Sequence, residues 1–254
     1  MSTVLNINHF IIPNDAIVLL TDIYRWIGQN LMFSETVKSD LERVIDQTVE
    51  RDCFFLSQIL KLNISDARTR LIITKDSNPR TKEETTLFHL KQALQNIQKN
   101  YKRIRHQSND LLDLANYLYS HHHEIKFALV PTEKKAILQS QASRSKRLLL
   151  DDINTAIDLI IEKKSFEKIT LYLNFFIDFY NISPFTTENE PVGLLLLYLL
   201  LLKSDIEAFR YISFFELLMD NYSEFMTEVK NASINWKEGF AQTMGFVRFM
   251  LKLM

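Results

Sequence analysis

The run Val192-Gly193-Leu194-Leu195-Leu196-Leu197-Tyr198-Leu199-Leu200-Leu201-Leu202 constrains this chain more than any other feature. With Pro191 before it and Lys203 after it, it reads as a helix without a polar face. A helix of that kind is stable only when other elements cover it on every side. It is well short of the ~20 residues that a membrane span needs, so the cover has to come from the protein and no membrane role is expected. Four Gly and five Pro in 254 residues argue for few tight turns and few strands. The expected fold is therefore all-α, a bundle of about eight to eleven helices, with the helix at about residues 191–203 buried at its centre.

Charge narrows the partners. The formal net charge is -1 and the pI is near 6.6, so no bulk charge points to nucleic acid or to an anionic membrane. A single Cys53 excludes an internal disulfide and a cysteine metal cluster, consistent with a reducing compartment. No basic stretch followed by an apolar core and a small-residue cleavage site opens the chain, so a cytoplasmic location is expected.

Apolar residues recur at helical spacing along the chain. Ala16 to Ile27 reads as a first helix, Ser34 to Ile64 as one or two more, and Asp66 to Ile73 as a short one. After the loop Lys75 to Pro79, Thr81 and Glu84 have the form of a capping box opening a helix. Ser108 starts another. Residues 121 to 147 read as loop with a short helix near 132 to 138. Helices follow at Leu148 to Ile161, Phe166 to Tyr180, Tyr211 to Asp220, Tyr222 to Lys230 and Asn235 to Leu253. The expected division is an N-terminal helical region, 1–107, and a helical core, 108–254, without a linker between independent units.

Between two of these helices lies Ser183-Pro184-Phe185-Thr186-Thr187-Glu188-Asn189-Glu190-Pro191-Val192-Gly193-Leu194. This segment resembles the active-site loop of the Fic family, which moves an AMP group from ATP onto a protein hydroxyl. The family pattern reads His-Pro-Phe-x-(Asp/Glu)-Gly-Asn-Gly-Arg-x-x-Arg. Pro184, Phe185 and Asn189 match it, and Val192-Gly193-Leu194-Leu195-Leu196 resembles the opening of the family's buried helix. Lys168 to Ile177, Phe209-Arg210-Tyr211-Ile212-Ser213, Asn221 to Phe225 and Trp236 resemble its flanking core segments. Upstream, Leu56-Ser57-Gln58-Ile59-Leu60-Lys61 resembles the family's Ser-Ser-x-Ile-Glu-Gly segment. The resemblance spans roughly residues 50 to 254.

The polar residues of the pattern are replaced. Ser183 stands where the family's His acts as base, and a Ser hydroxyl is no base at pH 7. Thr187 stands for the acid that helps to hold Mg²⁺. Glu188 and Glu190 stand for the two glycines that let backbone amides approach phosphates, and Pro191 and Leu194 stand for the two arginines. Two carboxylates facing a triphosphate repel it by ~1 kcal/mol or more each at short range. Leu60 stands for the inhibitory Glu that holds an Arg of the signature, and Lys61 for the Gly after it. Simple capping accounts for the same residues: acids suit a helix start, Pro191 suits a first helical position, Asn189 a cap or turn, and Phe185 a core anchor.

Other candidates read as structure. His121, His122 and His123 point about 100° apart on a helix and read as a polar helix end rather than a metal site. Cys53 reads as a buried thiol. Lys99, Lys102, Arg103 and Arg105, and Arg144 to Arg147, read as solvated surface. The aromatics Phe175, Phe176, Phe179, Tyr180, Phe209, Tyr211, Phe214 and Phe215 read as core.

The resemblance implies a Fic-like fold with a degenerate signature: no enzyme, no catalytic residue, no metal and no cofactor, but a module that binds another protein. The alternative is an enzyme with altered nucleotidyl or phosphoryl transfer that uses ATP and Mg²⁺, with Ser183, Thr187, Asn189 and Arg210. A nucleic-acid factor using the basic clusters is the weakest of the three.

Overall fold

The computed structural model describes residues 2–36, 40–130 and 145–254. Among these residues the chain forms eleven α-helices and no strand. They are α1 Asn14–Thr36, α2 Leu41–Ile59, α3 Asp66–Lys75, α4 Lys82–Asn100, α5 Ser108–Tyr119, α6 Lys146–Lys163, α7 Lys168–Ile182, α8 Asn189–Lys203, α9 Phe214–Asp220, α10 Tyr222–Ser233 and α11 Met244–Leu253. Short 3₁₀ helices cover Val4–His9 and Glu207–Arg210. The expected short helix at 132–138, Val37 and Arg144 lie outside the described residues. No described helix is long and apolar enough to cross a membrane.

The all-apolar run forms α8, and every residue from Pro191 to Leu202 is buried. Each fully buried leucine side chain contributes about 1.5–3 kcal/mol relative to exposure. α7 and α5 pack directly against α8. On a third side Gln98 of α4 donates to the Tyr198 hydroxyl, and the Phe214 and Phe215 rings of α9 lie 5.9 and 5.5 Å from the Tyr198 ring. The Tyr198 hydroxyl donates in turn to the Phe209 carbonyl at 3.0 Å. One cluster of buried apolar residues runs from Val4 to Leu251.

α7 is almost as apolar, and its start is fixed by Glu167, whose carboxylate accepts from the amides of Ile169 and Thr170 at 2.8 and 2.7 Å. Its one buried acid, Asp178, holds the chain's N-terminus. Asp178 accepts from the Thr3 and Val4 amides at 2.7 and 2.9 Å, from the Ser2 hydroxyl and from the Trp236 indole at 2.7 Å.

Several sequence expectations change in detail. The segment Ser34 to Ile64 contains the end of α1 and all of α2. The hydroxyl of Thr81 accepts from the Glu84 amide at 3.2 Å, as a capping box requires, but the Glu84 carboxylate accepts from the Arg80 amide and pairs with Arg68 instead of closing the box. The helix expected from Tyr211 starts at Phe214, because Ser213 caps it there. The helix expected from Asn235 starts at Met244. Asn235 and Gly239 both take left-handed backbone conformations, φ 56° and 83°, and the chain turns so that Trp236 reaches Asp178.

Candidate functional site

The loop between α7 and α8 is a closed hydrogen-bonded structure. Ser183 ends α7 in the left-handed conformation, φ 44°. Its amide donates to the Phe179 carbonyl and its hydroxyl to the Tyr180 carbonyl at 2.8 Å. Phe185 is buried against Phe127 and Phe179. The Phe185 amide donates to Asn189 Oδ1, and Asn189 Nδ2 donates back to the Phe185 carbonyl, both at 2.9 Å.

The loop is also paired from outside. Residues 126–128 lie beside it in extended form: the Ala128 amide donates to the Pro184 carbonyl and the Thr186 amide to the Lys126 carbonyl. Lys146, at the start of α6, donates to the Ser183 carbonyl at 3.0 Å. Burial, and Lys237 nearby, hold its ammonium below the usual lysine range. His123 Nε2 lies 2.7 Å from Thr187 Oγ1.

α8 begins two residues before the expected position. Asn189 is its first residue, and Glu188 precedes it in the left-handed conformation, φ 58°, without a side-chain cap. Pro191 is therefore third, still inside the turn whose amides have no helical partner, so its missing N–H costs nothing. Asn189 serves the turn and not the cap. Gly193 allows α7 and α8 to approach, since a Cβ there would sit 3.2 Å from the Phe179 ring.

Two cavities flank the loop. One, of about 320 Å³, is bounded by Phe176, Phe179, Tyr180, Phe225 and Leu194, with Ser183 and Asn189 at its edge. The other, of about 310 Å³, is bounded by Leu60, Tyr119, His122, Glu188 and Pro191 among others. Glu190 borders both. It accepts from the Tyr222 hydroxyl at 2.6 Å, which with burial pushes that phenol's pKa upward. Among the described residues no ion pair includes Glu188 or Glu190.

The upstream segment reaches the same place. Leu60 caps the end of α2 and borders the second cavity beside Glu188 and Pro191. Lys61 is exposed with φ 53°. Ser57 is buried and its hydroxyl donates to the Phe54 carbonyl at 2.6 Å.

Arg210 does not join the loop. It follows α8, lies 5.9 Å over the Tyr101 ring, pairs with Glu207 at 3.7 Å, and borders neither cavity. His121 and His122 both point at Thr86 Oγ1, at 3.1 and 3.3 Å, tying the end of α5 to α4. Cys53 is fully buried, and burial pushes its thiol pKa well up. Lys102 pairs with Glu207 and Arg147 with Asp151, on the surface. Six of the eight named aromatics are buried; Tyr180 and Tyr211 are half-buried.

Lys146, His123 and Tyr119 meet the loop without having been singled out for it. Lys146 sits in a basic tract and His123 in a histidine tract, and neither pattern encodes which loop lies opposite. Tyr119 is one more aromatic at helical spacing.

No protein-family model matches this sequence, and no curated protein matches it. Solved structures do. A Fic family protein from Desulfovibrio desulfuricans G20 superposes with a TM-score of 0.65 at 13% identity, over 96% of this chain and 73% of that one. A Fic domain containing signaling protein from Bacteroides thetaiotaomicron VPI-5482 gives 0.64 at 13% identity, over 89% and 92%. Fic-1 from C. elegans, in a Glu-to-Gly variant, gives 0.60 at 14% identity, over 93% and 71%. The helical bundle built around α8, with its loop at Ser183 to Glu188, is the Fic fold.

Proposed function

We propose that this chain is a catalytically degenerate Fic-fold protein that acts by binding another protein and does not itself transfer AMP. The observation that carries this reading is the start of α8. Glu188 and Glu190 bring two carboxylates there without an ion-paired cation among the described residues. A helix N-terminus attracts phosphate through free amides and a positive dipole. Two carboxylates at that position satisfy the dipole themselves and repel a triphosphate. Ser183 supports the same reading, because its hydroxyl is engaged with the Tyr180 carbonyl. Mg²⁺-ATP does not fit this set of residues.

A second reading, an enzyme of altered transfer chemistry, draws on His123 beside Thr187 and Lys146 beside Ser183. Those are one base and one cation at the loop, against two carboxylates.

Thermal unfolding with ATP, ADP, GTP and CTP, each with Mg²⁺ at low salt, separates the two. A ligand at ~100 times its Kd adds about 2.7 kcal/mol and raises the midpoint by some degrees. No shift with any nucleotide, and no label transferred from α-labelled ATP to protein, is the expected result. Mg²⁺-dependent AMP transfer by the purified chain would overturn the proposal.

A further inference from the structure

The second loop cavity has the chemistry of a cation pocket. Leu60, Leu62 and Pro191 give it an apolar wall, and Glu83 of α4, Glu188 just before α8 and Glu190 in its first turn bring three carboxylates to it. None of the three takes part in an ion pair among the described residues. Like charges gathered at one cavity repel each other unless something positive lies between them. The one basic group lining the cavity, His122, does not serve: its ring is directed at Thr86, and burial holds its pKa below the usual histidine value.

Tyr119 supplies an independent sign of a ligand. It is 6% exposed, borders this cavity and, among the described residues, has no hydrogen-bond partner for its hydroxyl. A tyrosine side chain this deeply buried usually finds a partner for its hydroxyl within the protein; the Tyr119 hydroxyl is left open to the cavity. Glu188 and Glu190 lie close enough to oppose the ionisation of this phenol, adding to the effect of burial. The hydroxyl therefore stays neutral and free to accept a hydrogen bond from an incoming N–H. At about 310 Å³ the cavity is at the lower end of ligand-site volumes.

We propose that this cavity receives one arginine side chain from a protein partner. The aliphatic stem packs on Leu60, Leu62 and Pro191. The guanidinium sets its N–H groups against Glu83, Glu188 and the free oxygen of Glu190, and lies against Tyr119. Arginine suits the site better than lysine because a planar fork engages several carboxylates at once and stacks on an aromatic ring. The proposal rests on the reading of the chain as a binding module and names the chemistry that the module recognises.

The test is a chemical-shift titration of the ¹⁵N-labelled chain at 50 mM salt with acetyl-Gly-Gly-Arg-Gly-Gly-amide and with the same peptide carrying citrulline, the neutral isostere. The arginine peptide is expected to move the amides around Glu83, Tyr119 and Glu188, and the citrulline peptide to leave them still. Glu188→Gln and Glu83→Gln should each weaken binding about tenfold, and Tyr119→Phe less. Equal binding of the citrulline peptide, or unchanged affinity in both Gln variants, overturns the proposal. Agmatine serves as a third ligand: tighter binding than the peptide overturns the assignment to a protein-borne side chain. A parallel titration with Mg²⁺-ATP keeps the two readings apart. Silence with every ligand removes the arginine pocket and leaves the binding-module reading standing. A nucleotide response at the loop removes that reading, whatever the peptide does.

Discussion

Asn189 and Phe185 bind each other twice: the Phe185 amide donates to Asn189 Oδ1 and Asn189 Nδ2 donates to the Phe185 carbonyl, both at 2.9 Å. One side chain thereby closes the turn that carries the chain from α7 into α8. Asn189→Ala leaves a buried amide and carbonyl unmatched, which costs about 1–3 kcal/mol. Asn189→Asp keeps the acceptor but sets a carboxylate oxygen against the Phe185 carbonyl oxygen, so it is expected to be destabilised as well. Urea unfolding of the two variants checks this; equal stability of Asn189→Ala and the parent chain would refute it.

Gly193 sets the distance between the two most buried helices. A Cβ there would sit 3.2 Å from the Phe179 ring. The branched side chain of Gly193→Val cannot be accommodated by a few tenths of an ångström and should cost about 1–3 kcal/mol. In Gly193→Ala the helix propensity gained, about 1 kcal/mol, roughly offsets the crowding. Thermal midpoints in the order parent, Ala, then clearly lower Val are expected.

His106 predicts acid sensitivity. Both of its ring nitrogens are buried without partners, beside Tyr172 and Phe175, and burial pulls its pKa down to about 4. With a folded pKa below the ordinary histidine value of about 6.5, the stability is full above that pH and is lost as pH falls from there to about 4. The linkage amounts to about 2 kcal/mol at pH 5. His106→Phe keeps a ring in the same place and should flatten the loss between pH 7 and 5, measured by urea unfolding at each pH.

Asp52 predicts the opposite limb. Its Oδ1 accepts from the Ser213 hydroxyl at 2.7 Å and the Phe215 amide at 3.0 Å, and the carboxyl is fully buried close to the Tyr198 hydroxyl. Burial pushes its pKa up to about 7. The folded state prefers the protonated acid, so the stability it confers is full below about 4 and is lost as pH rises through 7. Asp52→Asn cannot ionise, and its stability relative to the parent should increase from pH 6 to pH 9. A constant difference over that range would refute the assignment.

Asp178 anchors the N-terminus to α7 through the Ser2, Thr3, Val4 and Trp236 donors. Asp178→Ala removes their acceptor at once and should cost at least ~2 kcal/mol. Amide exchange of residues 3–9 should rise more than that of α8, because the anchored segment is released before the core opens.

Periodicity alone located most of the helices, and the resemblance pointed to the loop through Pro184, Phe185 and Asn189. The parts not legible share one cause. Lys146, His123 and Tyr119 reach Ser183, Thr187 and Glu188 from 37 to 69 residues away, and a contact across that separation leaves no local pattern. The turn at Asn235 to Gly239 overrode a helical spacing because Trp236 gains a hydrogen bond to a buried carboxylate by leaving the helix.

That α8 is a helix covered on all sides follows from its residues alone, since eleven successive residues from Val192 to Leu202 include no charge. Residue identity likewise puts carboxylates in the loop before α8 where the resembling loop has glycine, because it is chemistry before any folding. What those carboxylates face was set by long-range packing. Burial and charge are properties of the neighbours a side chain is given, and Glu83, Tyr119 and Leu60 come to Glu188 from α4, α5 and the cap of α2.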